Sequence, residues 1–118
     1  MENEQVARFT SLWTQAHPSV FAFVSATVTS FPDAEDVLQK VATCAVSKFS
    51  EYDESKPFVG WAIGIARIEI MRYLRHRQTD RHRFVADSLD QIADAFVAVS
   101  PELDGQRRAL AICLARLK

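Results

Sequence analysis

Apolar residues recur every three or four positions along most of the chain, and this spacing predicts helices. A first helix is expected from about Glu2 to Ala16. Proline suits the first turn of a helix rather than its interior, so His17-Pro18 is expected to end this helix and to begin a second one. The second segment is rich in β-branched residues, which leaves a strand possible there. The predicted inward faces are Val6, Phe9, Leu12, Trp13 and Ala16 in the first helix, and Val20, Phe21, Val24, Val28 and Phe31 in the second.

A third helix is expected to begin at Asp33, a favourable N-cap residue. Glu35 and Asp36 then fall in its first turn, where the helix dipole favours carboxylates. The predicted apolar face is Val37, Leu38, Val41, Ala45 and Phe49. A polar stripe at spacings of three and four residues consists of Asp36, Gln39, Lys40, Thr43 and Ser47. The segment Ser50–Pro57 breaks the pattern with charges and a proline, so it is predicted to be a loop.

The longest apolar pattern predicts a central helix from Phe58 to Arg83. Residues 61–65 alternate as in a strand, but helical spacing continues to Leu74, which is too long for an ordinary strand. The predicted core face is Phe58, Trp61, Ala62, Ile65, Ala66, Ile70, Tyr73 and Leu74. The side away from the core is predicted to carry Gly60, Gly64, Arg67, Met71 and Arg75. An interior glycine costs a helix about 1 kcal/mol relative to alanine. Gly64 therefore marks either a close approach or a tolerated surface glycine.

Two shorter helices are expected after the central one. Ser88 and Gln91 resemble a capping box, followed by apolar residues at helical spacing up to Val99. Ser100-Pro101 combines an N-cap with a first-turn proline and is expected to open a final helix. The sequence stops at ARLK without a capping signal, which is expected of a chain cut inside an element or at its edge.

Composition fits one helical domain, because 118 residues suffice for a modest core and only three glycines are present. The formal net charge is −1 and predicts no partner by itself. Its distribution is informative. Residues 1–55 carry three basic and eight acidic residues, whereas residues 56–83 carry seven basic and two acidic ones. This separation predicts one end suited to phosphates and another suited to a basic partner.

Several function classes are not favoured by the sequence. The acidic N-terminus does not resemble a signal peptide, and charged residues interrupt the best candidate for a membrane span. Cys44 and Cys113 are expected to be buried thiols in a reduced cytosol. No pattern of zinc ligands, glycine-rich phosphate loop or catalytic constellation occurs. We therefore expect a cytoplasmic protein that needs no metal or cofactor and is not an enzyme.

Arginines next to aromatic residues favour nucleic-acid binding, since arginines contact phosphates and aromatic rings stack on bases. The central stretch carries six arginines: Arg67, Arg72, Arg75, Arg77, Arg81 and Arg83. The nearby aromatic residues are Tyr52, Phe58, Trp61 and Tyr73. The alternative interpretation is core packing for the aromatic rings and a solvated helix end for the arginines.

Three stretches in this order resemble region two of the extracytoplasmic-function (ECF) sigma factors, the promoter-recognition subunits of bacterial RNA polymerase. They are FTSLWTQAHPSVFAFV, DAEDVLQKV and FVGWAIGIARIEIMRYLRHR. In addition, QRRALAICLARL resembles the start of the family's region four. The resemblance implies a compact all-α helical bundle over residues 1–83, with one long central helix. Residues 84–118 would then be a linker and a short helical C-terminal tail that begins region four and is truncated.

The resemblance also implies partners. In this family the helix matching DAEDVLQKV docks on the clamp-helix coiled coil of the largest subunit of core RNA polymerase. The implied polymerase-binding residues are Asp33, Glu35, Asp36, Gln39, Lys40 and Thr43, although the family usually has an acidic residue at the position of Lys40. The loop Ser50–Pro57 and the following helix match the part that opens the promoter minus-ten element and captures a flipped base.

The implied DNA-binding residues are Tyr52, Lys56, Phe58, Trp61, Arg67, Arg72, Arg75 and Arg77. Ile68 stands where the family motif often has an asparagine, so a hydrogen-bonding base reader is missing. An anti-sigma factor is a further possible partner.

Two alternatives to the sigma-factor interpretation assign other contacts to the central helix. A sigma-like protein-interaction module would bind polymerase or an anti-sigma regulator without reading DNA. A membrane-surface helix would use the same basic and apolar stretch and would expose Trp61 and Ile65.

Overall fold

The computed structural model describes residues 3–77 and 82–99, and these residues form helices joined by short connections. Their elements are α1 (Asn3–Thr27), α2 (Phe31–Ser47), a 3-10 turn (Phe49–Glu51), α3 (Phe58–Arg75) and α4 (82–99). No strand occurs within these residues. The prediction of an all-α bundle is therefore confirmed.

Helix α1 is one continuous helix that passes through Pro18. The predicted break at His17-Pro18, and with it the possible strand, is therefore wrong. An interior proline removes one backbone hydrogen bond and costs about 3 kcal/mol. The buried face nevertheless continues across it, because Ala16 and Val20 both lie in the core, at 5 % and 0 % exposure. Burial along the whole face offsets the local cost of the proline.

Helix α3 packs against both α1 and α2 and is the central helix of the core. Its buried residues are Phe58, Ala62, Ile63, Ile65, Ala66, Ile70 and Leu74. Trp61 and Tyr73, which were expected on this face, are half-buried at its edge. Ile63 was not expected there; it is buried because α4 covers a further side of α3.

The central helix ends at Arg75, so the predicted single helix from Phe58 to Arg83 is wrong. His76 and Arg77 form a turn in which their backbone N–H groups bond to the carbonyls of Tyr73 and Leu74, at 3.2 and 3.1 Å. The turn follows the end of the apolar pattern at Leu74, beyond which further helix would gain little burial.

The apolar pattern resumes in α4, where Val85, Leu89 and Ala93 join the same core. Ser88 lies inside α4, so it does not cap a shorter helix as predicted. The proposed division of the chain at residue 83 stays a prediction. The predicted final helix and Cys113 lie outside the described residues.

Three further expectations about the helix ends are corrected. Helix α2 begins two residues before Asp33, with Ser30 at the N-cap, because Pro32 is tolerated in a first turn. Val6 and Phe31 were predicted to face inward, but they are 47 % and 63 % exposed. Both lie near the start of their helices, where fewer neighbouring elements surround them.

Two other properties concern the predictions about cysteine burial and membrane spans. Cys44 is a free, half-buried cysteine rather than a fully buried one. Within residues 3–77 and 82–99, no helix is long and apolar enough to cross a membrane.

Candidate functional site

The predicted polymerase-binding residues lie along the outer side of α2. Asp33 is half-buried, whereas Glu35, Asp36, Gln39, Lys40 and Thr43 are exposed. This orientation is set by the opposite side of the helix, where Ala34, Val37, Val41 and Ala45 are buried. Lys40 and Asp36 form an ion pair at 3.4 Å. The polar stripe predicted from spacing is therefore a continuous exposed surface.

Helix α3 adds Glu69 and Arg72 to the centre of this surface, and the sequence did not assign either residue to it. Two adjoining depressions run between α2 and α3, and Asp36, Lys40, Glu69 and Arg72 line both of them. Arg72 Nη1 donates to Glu69 Oε1 at 2.8 Å. The Glu69 side chain is only 11 % exposed, whereas Arg72 is 66 % exposed. The three-residue spacing of the pair was visible in the sequence, but its position beside α2 was not.

The first turn of α2 is bound to the end of α3 through one carboxylate. Asp33 Oδ2 accepts hydrogen bonds from the Tyr73 hydroxyl at 2.7 Å and from Arg77 Nη2 at 3.0 Å. The Arg77 guanidinium also lies 5.0 Å from the centre of the Tyr73 ring. Burial, followed by the hydrogen bond to Asp33, raises the pKa of Tyr73. A residue predicted to bind polymerase and one predicted to bind DNA are thus paired with each other.

An aromatic cluster lies at the other end of α3. Tyr52 is 5.3 Å from both Phe58 and Trp61 between ring centres, and Phe58 is 5.4 Å from Trp61. Phe58 is only 6 % exposed because Phe9 and Phe49 also pack around it. Tyr52 and Trp61 are half-buried. The sequence-based alternative of core packing therefore describes Phe58 well, while Tyr52 and Trp61 keep part of their rings accessible.

The loop before α3 is held by its own polar groups. The Tyr52 hydroxyl donates to the backbone carbonyl of Lys56. The backbone N–H and hydroxyl of Ser55 donate to Asp53 Oδ1 at 3.0 and 2.7 Å, and these bonds lower the pKa of Asp53. Glu54 forms an ion pair with Arg8 of α1. The loop thereby fixes the position of the Tyr52 ring beside α3.

The predicted DNA-binding arginines do not form one stripe. Arg67 pairs with Asp90 of α4 at 3.3 Å, whereas Arg72 and Arg77 lie on the side of α2. Arg75 is exposed and has no ion pair with any residue that the structure describes. Helix α3 ends at Arg75, and Arg83 lies in α4. Arg81 lies outside the described residues.

The side of α3 predicted to face away from the core is partly covered by α4. A Cβ atom added to Gly60 would lie 3.8 Å from Val97 Cγ1, which is ordinary contact. A Cβ atom added to Gly64 would meet no atom of the described residues within 4 Å. Within this part of the chain, Gly64 is therefore a tolerated glycine rather than a point of close approach.

The arrangement excludes the membrane-surface alternative. That alternative requires Trp61 and Ile65 to be exposed, but Ile65 is 9 % exposed and Trp61 is packed within the aromatic cluster. The apolar half of α3 is used for folding, because its buried face packs in the core rather than against a lipid surface.

The sequence model of the Sigma-70 region 2 family matches residues 12–79, more than half of the 118-residue chain. The chain belongs to the Sigma-70 region 2 family. No curated protein and no solved structure matches it. The matched residues include α2, the loop and α3, and therefore every predicted site residue.

Membership of the Sigma-70 region 2 family carries a functional meaning at the level of the family. The family consists of transcription initiation factors that are not enzymes, which confirms the prediction that this chain is not an enzyme. It also implies binding to core RNA polymerase and to promoter DNA.

Proposed function

We propose that the chain is the region-two part of a bacterial ECF sigma factor, which binds core RNA polymerase through α2 and opens the promoter minus-ten element with the Ser50–Pro57 loop and α3. The observation that supports this most is the exposed polar stripe of α2, which lies within the residues matched by the family model. A cytoplasmic location, an anti-sigma partner and the start of region four near the C-terminus belong to the same proposal.

The polymerase contact is proposed for the exposed residues of α2. Asp36 and Lys40 are 65 % and 63 % exposed, so their ion pair contributes only about 0.3–0.5 kcal/mol. A partner can replace this pair at little cost. Complementary charges on the partner then add specificity and speed the encounter.

The DNA contact is proposed for the accessible edges of the aromatic cluster and for nearby cations. Tyr52 and Trp61 border the site for a flipped base, and Phe58 supports them from the core rather than touching DNA. Extruding a base costs a few kcal/mol, which stacking and phosphate contacts must offset. Lys56 and Arg75 are exposed for phosphate contacts, whereas Arg67, Arg72 and Arg77 would first leave their carboxylate partners.

A sigma-like interaction module that does not read DNA is the competing proposal. Three of the four candidate arginines in α3 and its turn pair with carboxylates, which favours this alternative. Ile68 favours it as well, because this 46 % exposed apolar residue stands where the resembling family often has an asparagine.

Binding of the reconstituted holoenzyme to a labelled minus-ten single strand distinguishes the two proposals. If about four arginines neutralise phosphates, the slope of log affinity against log salt is about −3. Changing Arg75 to glutamate should weaken this binding while the holoenzyme still assembles. A holoenzyme that assembles but shows no salt-dependent binding to the strand supports the interaction module and contradicts the promoter-opening role.

A further inference from the structure

We infer that the groove between α2 and α3 is a single protein-binding surface, and that Arg72 of α3 contacts the same polymerase segment as Asp36 and Lys40 of α2. This inference rests on the proposed polymerase binding and changes the role of Arg72. The sequence resemblance placed Arg72 on DNA, whereas its position places it with the protein contact.

The groove is continuous along most of α2. The part near the start of α2 is lined by Asp33, Tyr73 and Arg77, and the part near the end of α2 by Gln39, Thr43 and Ser47. Asp36, Lys40, Glu69 and Arg72 line both parts and so form its centre. At about 1.5 Å per residue, the stretch from Asp33 to Ser47 is about 21 Å long. This length matches about four turns of a partner helix.

The charges of the groove suit a protein rather than a nucleic acid. Three carboxylates face four cations, and the groove therefore has almost no net charge: Asp33, Asp36 and Glu69 against Lys40, Lys48, Arg72 and Arg77. Lys40, Arg72 and Arg77 already pair with carboxylates of the groove. A protein gains affinity for a phosphate backbone from cations whose charge is not already neutralised by carboxylates. A helical protein segment that carries both positive and negative side chains complements this mixture of charges.

Arg72 is arranged to bind a second carboxylate without releasing the first. Glu69 is nearly covered, so its charge depends on Arg72 for a partner. The Arg72 guanidinium has five N–H donors, and one of them is used on Glu69. Because two thirds of the side chain stays exposed, the remaining donors are available to a partner bound in the groove. Glu69 thus acts as a positioning residue for Arg72.

Arg75 provides a matched control on the same helix. It is exposed and three residues from Arg72, but it lines neither part of the groove. The two arginines should therefore differ in the partner that each contacts, although both belong to the same basic stretch of the sequence.

The test uses the full chain and measures its affinity for core RNA polymerase, followed by the affinity of the saturated holoenzyme for a minus-ten single strand. We expect R72E to weaken polymerase binding about tenfold or more, as for an interface contact worth at least about 1.4 kcal/mol. R75E should leave polymerase binding within about twofold and weaken binding to the strand. R72Q serves as a second variant, because it keeps the polar side chain without placing a like charge beside Glu69. Helical circular dichroism and the melting temperature report whether each variant folds.

The possible outcomes separate this inference from the function on which it rests. Polymerase binding by R72E and R72Q within about twofold of wild type would overturn the inference and leave the proposed function standing. Normal polymerase binding with weakened strand binding would return Arg72 to the DNA contact. Failure of the wild-type chain to bind core polymerase would overturn the proposed function itself, and the inference with it.

Discussion

The N-terminal end of α3 is surrounded by aromatic rings, whereas its C-terminal end is attached to α2 by polar side chains. Phe58 is 6 % exposed at the first end. At the second end, Asp33 and Arg77 are 32 % and 51 % exposed, and water screens their interaction. Apolar burial contributes more to stability than a partly exposed ion pair does. The end proposed to hold a flipped base is thus enclosed by aromatic rings. At the other end Leu74 is buried in the core, at 3 % exposure, but the side-chain links to α2 beside the proposed polymerase contact are polar and can be rearranged by a partner.

The largest effect should come from the aromatic end. Replacing Phe58 with alanine should lower the free energy of unfolding by about 3–5 kcal/mol, because it removes a buried ring and leaves a cavity. Phe84 is a matched control, since it is 72 % exposed and the same substitution there should change stability by about 0.5 kcal/mol or less. Urea denaturation measures the free energy of unfolding of both variants and of the wild type. Equal, small losses would show that the aromatic cluster does not anchor α3.

The polar end should respond more weakly. Replacing Tyr73 with phenylalanine removes the hydroxyl that donates to Asp33 and should cost about 1 kcal/mol. The same substitution in an Asp33→Ala background should cost much less, since the acceptor is already absent. This double-mutant cycle is measured by urea denaturation. Independent, additive losses would mean that the Asp33–Tyr73 hydrogen bond does not join α2 to α3.

A smaller effect concerns alkaline pH. Burial is the largest cause that raises the pKa of both Tyr52 and Tyr73 above its ordinary value of 10.0. The folded protein therefore keeps its tyrosine protons at pH values where the unfolded chain loses them. The stability that these raised pKa values contribute is fully present below the pKa of tyrosine in the unfolded chain. It is lost as the pH rises through the pKa values of the folded protein.

Tyrosinate absorbance can assign these titrations, because the chain contains only two tyrosines. Y52F reports Tyr73 alone, and Y73F reports Tyr52 alone. Both remaining tyrosines should titrate above the value of a denatured control. Titration at the denatured value by either one would contradict its packing at that end of α3.

The sequence predicted where α3 begins, at Phe58, but not where it ends. Apolar spacing from Phe58 to Leu74 identified the central helix, and spacing along α2 identified its exposed stripe. Such periodicity reports which residues are buried, but not which helix covers them. Ile63 was missed for this reason, because its burial depends on α4.

The errors occurred where local signals competed with packing. Pro18 signals a helix break, yet the buried face of α1 continues through it. The basic residues after Leu74 suggested an uninterrupted helix, although the apolar pattern that stabilises α3 had ended. Asp33 and Tyr73 are 40 residues apart, and no periodicity relates two residues on different helices. The groove between α2 and α3 could be found only after the two helices were placed side by side.

The affinity of the full chain for core RNA polymerase tests most directly whether the exposed side of α2 is the docking surface. Replacing Asp36 with arginine should weaken this affinity by about tenfold or more, because it reverses the charge at the centre of the groove. The matched control is Asp87→Arg, which makes the same change at an exposed position on α4 and should alter the affinity by less than about twofold. Unchanged affinity for D36R in a folded protein would contradict the account, as would equal losses for D36R and D87R.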